Sequence, residues 1–552
     1  MKKIDIVIIG SGWAGICTMK HCLEENLSGI ILEKTNDYGG VWNINNTPSV
    51  YANTYSVSSK LYLSMSDFPM PESYPEFPHH TLVMEYLRMY TNHFDILKYI
   101  SFNSEVINIE KKNNEWHTTY NTNSGLQIII SKNIALCTGQ NSTCLNYPNI
   151  DTSNFKGTII HASKYDNLFK NKCLNKRVLI YGASDTGFDI GVELANNMYG
   201  VEKDINGNVK FGYTGPNSSI NHEKTKIYIS MKKGRWIQRR TGGAYEASDM
   251  YYSRTVDFIL KTMSKSLIYV DFVPELELFW GTQGHGIKEW QSDVGYLNAY
   301  YIKSADILSK ITFGDVIPLR DIKTVNSTNV VTVDNKIIDI DIIIFATGYS
   351  GFACYQFIPD YIKQGNFYDH IFLIDDPTIV KVGFIRPFLT SIPMIIEMQS
   401  RYIAKVFSNK CKLPNNIDMN YSYIKMKKVQ SNEFGHDYER VTGIINPFDY
   451  MNMIAEKIDI MPSYTKLLLT DPILLSNILL DSWNHYIYRL CDTNDNKKNI
   501  AREQILLLNN HESSKKINKA IIKLIIKISI LIIILIIIFL YRKKIYKLIQ
   551  DM

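Results

Sequence analysis

The residue types best spaced for chemistry are glycines and a single carboxylate. Gly10-Ser11-Gly12-Trp13-Ala14-Gly15 follows the apolar run Ile6-Val7-Ile8-Ile9, and Glu33 ends a second apolar run, Ile30-Ile31-Leu32. Four successive β-branched residues read as a buried strand, and the stretch after the glycines reads as a helix. Gly10 suits a tight turn, Gly12 a close approach to a pyrophosphate, and Gly15 close packing of helix on strand. The helix N-terminus offers N–H groups and a positive dipole to phosphates. Glu33 would accept from a ribose 2′-hydroxyl and repel a 2′-phosphate, which selects FAD or NAD over NADP. The plain alternative is a glycine-rich turn in an ordinary α/β unit.

A second fingerprint follows another apolar run. Arg177-Val178-Leu179-Ile180-Tyr181 leads into Gly182-Ala183-Ser184-Asp185-Thr186-Gly187, then Phe188 and Asp189. The strand expected over 226–230 runs into Met231-Lys232-Lys233-Gly234-Arg235, with no acid where the first site has Glu33. Cations there suit a 2′-phosphate, so Gly182, Ser184, Asp185, Thr186, Gly187, Phe188, Asp189, Lys232 and Lys233 are assigned to NADPH, the plain alternative being a solvated basic turn. The paired glycine of Gly39-Gly40-Val41-Trp42 permits close backbone approach to a ligand. Trp42 either covers a flavin edge or belongs to the core. Two more strands end alike, at Thr138-Gly139 and at Thr347-Gly348, and bring backbone towards a dinucleotide. We find no metal-ligand spacing, catalytic triad or carboxylate pair.

The elements that must position these residues imply a large α/β protein. The 552 residues, 45% hydrophobic and 21% charged, suffice for two or more domains with real cores. A net charge of +6 with scattered lysines gives no argument for nucleic acid. The eight cysteines show no CxxC pair and no framework spacing, which predicts reduced thiols and no disulfide. The start at Met1-Lys2-Lys3 runs directly into a core strand, so no signal peptide is expected. A helix is expected over about 82–93, a surface insertion over 200–224, and a hairpin around 330–338. At the C-terminus, 528–541 is almost unbroken Ile and Leu. Apolar character reaches back to Ala520, Lys523 and Lys527 interrupt it, and Arg542-Lys543-Lys544 and Lys547 flank it. The stretch predicts a transmembrane helix over 520–541, with a basic amphipathic surface helix as the alternative.

Phe155, Gly157, His161 and Tyr165 stand between the two fingerprints in the order FxGxxxHxxxY. With them the chain resembles the flavin-containing monooxygenases, of the microsomal, dimethylaniline N-oxide-forming kind. Gly39-Gly40-Val41-Trp42, Asp67-Phe68-Pro69, Phe345-Ala346-Thr347-Gly348-Tyr349 and Leu469-Thr470-Asp471-Pro472 are similar to further family motifs. The resemblance implies two Rossmann-like dinucleotide-binding domains. FAD would be held by 1–154 and 336–515, including Gly10, Ser11, Gly12, Trp13, Ala14, Gly15, Glu33, Gly40, Val41, Trp42, Thr138, Gly139, Thr347 and Gly348. NADPH would be held by 155–335. It also implies that reduced FAD and O2 form a C4a-hydroperoxide that oxygenates a soft nucleophile, an amine nitrogen or a sulfide sulfur. His161 is then structural.

The catalytic loop would be Val57 and Ser58, beside flavin and nicotinamide. Ser58-Ser59-Lys60 sets the register, and Val57 falls where the family has an Asn; valine neither donates nor accepts a hydrogen bond. That departure opens a second reading, an NADPH oxidase that releases hydrogen peroxide. Lys232 and Lys233 replace arginines, and Ser184 replaces a glycine. Tyr165 in place of a tryptophan counts against a Baeyer–Villiger enzyme, and two intact fingerprints count against a nucleotide sensor without turnover. A tail-anchored enzyme of the endoplasmic reticulum with cytoplasmic catalytic domains is implied, and a homo-oligomer is left open.

Overall fold

The computed structural model describes residues 3–46, 49–141, 144–196, 199–203, 209–213, 225–241, 246–262, 287–291, 300–435, 441 and 443–508, with isolated positions from 515 to 536. By its contacts the chain divides into two compact units, Met1–Arg240 with Thr282–Asp459, and Thr241–Gly281 with Ile460–Met552.

The larger unit holds two main sheets, one mixed around a parallel centre and one wholly parallel. The first has nine strands. The apolar run at the start forms the strand Lys3–Ile9, between Gly29–Leu32 and Gly125–Leu136 and parallel to both, with Ile8 opposite Ile31 and Ala135. Ile379–Lys381 adds in parallel beyond it, Ile379 opposite Ile134. These carboxyl ends therefore lie along one edge, where ligands of open α/β sheets bind. Val7, Ile9, Ile134, Leu136 and Ile379 share one buried cluster. Each such side chain contributes roughly 1.5–3 kcal/mol when fully buried.

The second sheet has five strands in the spatial order Val316–Leu319, Lys226–Ser230, Arg177–Tyr181, Ile342–Phe345, Thr158–His161, all parallel. Ile344 lies opposite Ile160 and Ile180. The strand that ends in the Phe345-Ala346-Thr347-Gly348 motif thus belongs to this second sheet, which reaches past residue 335. Phe188, on the helix Asp185–Asn196, stacks on Trp290 with ring centres 5.2 Å apart.

Smaller expectations meet mixed outcomes. The predicted helix spans His80–His93. The hairpin is present as Asn329–Thr332 against Ile337–Asp339. Within the 200–224 insertion, Tyr199–Lys203 pairs antiparallel with Val209–Tyr213, and the remainder lies outside the described residues. The thiol expectation is corrected. Cys144 and Cys354, 210 positions apart in sequence, form a disulfide with Cα atoms 6.1 Å apart. Chain spacing carries no trace of a contact made between two sheet-edge loops, so counting motifs could not reveal it. The other six cysteines are not in disulfides.

The smaller unit is helical where described, with Arg254–Thr262, Tyr464–Thr470, Pro472–Leu480 and Asp495–Leu507. Asp471 caps the third of these, accepting from Leu474 N at 3.1 Å, and pairs with Arg502 at 2.9 Å. Proline at the first helical position lacks only an N–H that would be unpaired anyway. Most of the predicted 520–541 membrane helix lies outside the described residues. Within it Ile526, Ile530, Ile533 and Ile536 are helical and 51–55% exposed. Among the described residues, no helix is long and apolar enough to cross a membrane.

Candidate functional site

The carboxyl edges of both sheets open into one cleft of about 1830 Å³ within the larger unit. Gly10 turns the chain out of the first strand at φ +100°, where a Cβ would lie 2.7 Å from the Cys137 carbonyl oxygen. Gly15 on the next helix has no such freedom to use. It is needed for contact, because a Cβ there would fall 1.9 Å from the Gly10 oxygen. Gly187 repeats this in the second fingerprint, 2.2 Å from the Gly182 oxygen.

Most of the expected site residues line the cleft: Gly10, Gly12, Trp13, Ala14, Glu33, Gly40, Val41, Trp42, Val57, Ser58, Thr138, Gly139, Gly182, Ser184, Asp185, Thr186, Lys232, Lys233, Thr347 and Gly348. Five do not. Ser11, Gly15, Gly187, Phe188 and Asp189 lie behind the wall and shape it. Asp189 is occupied elsewhere: it accepts from Arg240 Nη2 at 2.9 Å, Ser304 Oγ at 2.6 Å and Tyr51 OH at 3.2 Å. That set ties the second nucleotide helix to the 51 loop and to the segment around Ser304. Asp185 accepts from Lys303 N at 2.8 Å, and burial beside Asp189 raises its pKa.

Glu33 is nearly enclosed. Its Oε2 accepts from Ser11 N and Ser11 Oγ, both at 2.8 Å, and its Oε1 from Thr35 N at 3.0 Å and Thr35 Oγ1 at 2.8 Å. A carboxylate has about four lone-pair sites, so a ribose hydroxyl would have to displace a Ser11 or Thr35 hydroxyl. Trp13 Nε1 is buried at the same wall with no hydrogen-bond partner. A Cβ on Gly40 would stand 2.9 Å from Gly12 Cα, so these two glycines form a shallow cradle. An orphaned donor, a glycine cradle and a caged carboxylate fit the pyrophosphate and ribose of a dinucleotide. On the other side of the cleft, Lys232 and Lys233 are exposed and make no ion pair among the described residues. Unpaired cations there fit a 2′-phosphate. Lysine meets it as a point charge, without the fork of arginine.

Three residues that sequence reasoning passed over hold the walls in place. Tyr355 OH donates to the carbonyls of Thr138 at 2.7 Å and Gly139 at 3.0 Å. Gln140 Nε2 donates to Gly383 and Ile385 carbonyls at 3.0 and 2.9 Å. Thr390 accepts at its carbonyl from Ser58 Oγ at 2.8 Å. Each contact joins segments more than 200 residues apart, so local pattern carries no signal for it. His161 is buried with Nε2 3.1 Å from the Gly348 carbonyl and Nδ1 3.0 Å from Ser163 Oγ. Burial lowers its pKa, and a neutral ring bridging two loops is a structural part.

The chain is 28% identical over 512 residues to flavin-containing monooxygenase 5 of Rattus norvegicus, covering 89% of each. It is 26% identical over 508 residues to dimethylaniline monooxygenase [N-oxide-forming] 2 of Pan troglodytes, covering 88% of each. In fold it matches S-allyl-L-cysteine S-oxygenase from Allium sativum, with a TM-score of 0.59, 17% identity, and 92% of this chain and 99% of that one covered. It also matches an NADP+-bound cyclohexanone monooxygenase mutant from Rhodococcus sp. Phi1, with a TM-score of 0.58, 15% identity, and 83% and 98% covered. The profile of the family described as flavin-binding monooxygenase-like matches residues 2–202 and 209–543. The chain belongs to this family and is an FAD- and NADPH-dependent monooxygenase.

Proposed function

We propose that the enzyme oxygenates soft nucleophiles, an amine nitrogen or a sulfide sulfur, with one atom of O2. FAD would lie against the Gly10–Gly15 turn, Glu33 and the Gly40-Val41-Trp42 loop, in the part built by 1–154 and 336–515. NADPH would lie against Gly182–Thr186, Lys232 and Lys233, in the part built by 155–335 and carried on to Phe345. The observation that carries the reading is the single cleft lined by both fingerprints, which lets two nucleotides meet beside Val57 and Ser58. FAD would supply the redox chemistry with NADPH and O2, and the residues of the cleft would position the reactants and exclude water. No side chain of this cleft is required as a nucleophile. Ser58 supports that view, because its hydroxyl is already engaged with the Thr390 carbonyl.

A second reading rests on Val57. A valine side chain at this wall of the cleft offers no hydrogen bond to bound cofactors, and the enzyme would then release hydrogen peroxide as its main product. Counting NADPH against oxygenated product and peroxide separates the two. We also propose a membrane anchor over 520–541, on the grounds of its uninterrupted Ile and Leu and its basic flank. The catalytic part would face the cytoplasm and the membrane would be the endoplasmic reticulum.

A further inference from the structure

Thr390 carries two unfavourable features at one place in the cleft wall. Its φ is +74°, a strained region that β-branched residues rarely enter. Its side-chain Oγ1 is buried with no hydrogen-bond partner, and the residue is 5% exposed. An unpaired buried hydroxyl adds a desolvation cost of its own. The surroundings hold the residue in this state from both sides. Ser58 Oγ donates to its carbonyl at 2.8 Å. The next residue, Ser391, donates its hydroxyl to the Tyr62 carbonyl. The 16-residue helix Ile392–Phe407 then begins at once. A residue so constrained would be expected to relax unless something in the cleft uses it, and strained residues gather at ligand sites for that reason.

Thr390 lines the cleft together with Val57 and Ser58, and its carbonyl is tied to the residue next to Val57. We propose that the Thr390 hydroxyl is the hydrogen-bonding group this chain offers to the bound flavin–nicotinamide pair in place of the side chain that Val57 lacks. The inference rests on the cleft holding both nucleotides. A hydroxyl can donate and accept at once, so it can stand in for part of what an amide supplies.

The test uses the full-length FAD-loaded protein and titrates NADP+ while the flavin absorbance and the melting temperature are followed. Thr390→Val keeps shape, branching and strain but removes the hydroxyl. It should raise the NADP+ dissociation constant roughly fivefold, as loss of one hydrogen bond implies, and shift the flavin band on NADP+ binding. Thr390→Ser should behave like the parent in both. Thr390→Gly should melt higher, because its strain is relieved, and still bind NADP+ as weakly as Thr390→Val. A Thr390→Val protein with parental affinity and parental spectrum would overturn the proposal. A parent protein that takes up neither FAD nor NADP+ would overturn the reading of the cleft beneath it.

Discussion

At the scale of residues, Glu33 serves the fold and is also the ribose acceptor we propose. Sequence spacing identified it as a ribose acceptor. The structure adds that it satisfies the backbone N–H groups of Ser11 and Thr35. Glu33→Ala therefore loses the ribose contact and also strands two donors, each costing about 1–3 kcal/mol if left unpaired. The expected outcome is a lower melting temperature and at least a tenfold loss of FAD affinity, read as flavin content after gel filtration. Glu33→Gln, which keeps one acceptor, should lose less of both. Full flavin content in Glu33→Ala would remove Glu33 from the site. Asp189 marks the opposite lesson. It follows the second fingerprint closely, but Arg240, Ser304 and Tyr51 use its oxygens. Position in a motif says where a residue is, and only partners say what it does.

At the scale of elements, the legible parts were those made by local chemistry. Strand, glycine turn, helix and strand around Gly10 and Gly182 follow from β-branched runs and glycine placement. So does the His80–His93 helix, with its amphipathic pattern. The parts that escaped are joined across long separations. The Ile342–Phe345 strand enters the second sheet because its register fits Thr158–His161 and Arg177–Tyr181, which no window of sequence displays. The Cys144–Cys354 bond is of the same kind. Burial raises the thiol pKa of Cys137 and Cys173 to about 12 and that of Cys17 and Cys22 beyond this. Thiolates are the reactive form. Iodoacetamide should therefore label only Cys411 and Cys491 in the native, unreduced protein, and a reductant should add Cys144 and Cys354. Labelling of Cys144 and Cys354 without reductant would show the pair to be open, as the unpatterned spacing had suggested.

At the scale of the whole molecule, a mixed nine-stranded sheet and a parallel five-stranded sheet share one unit, and the carboxyl ends of their parallel strands face one cleft. Two-nucleotide chemistry follows from that arrangement, whereas the substrate does not, because no side chain in the sequence names it. The C-terminal stretch acts at this scale as well. Ending the chain after Asn518 should move the protein from the membrane pellet to the supernatant with its flavin retained, and a truncated protein that still sediments with membranes would place the anchor elsewhere. The central claim, that the cleft couples NADPH and O2 to oxygenation despite Val57, meets its most direct test in one assay. The FAD-loaded enzyme is supplied with NADPH in air, with and without a tertiary amine or a thioether, while NADPH loss, oxygenated product and hydrogen peroxide are measured together. N- or S-oxide should match most of the NADPH consumed when the nucleophile is present. Peroxide equal to the NADPH consumed, whether or not the nucleophile is added, would contradict it and leave an oxidase.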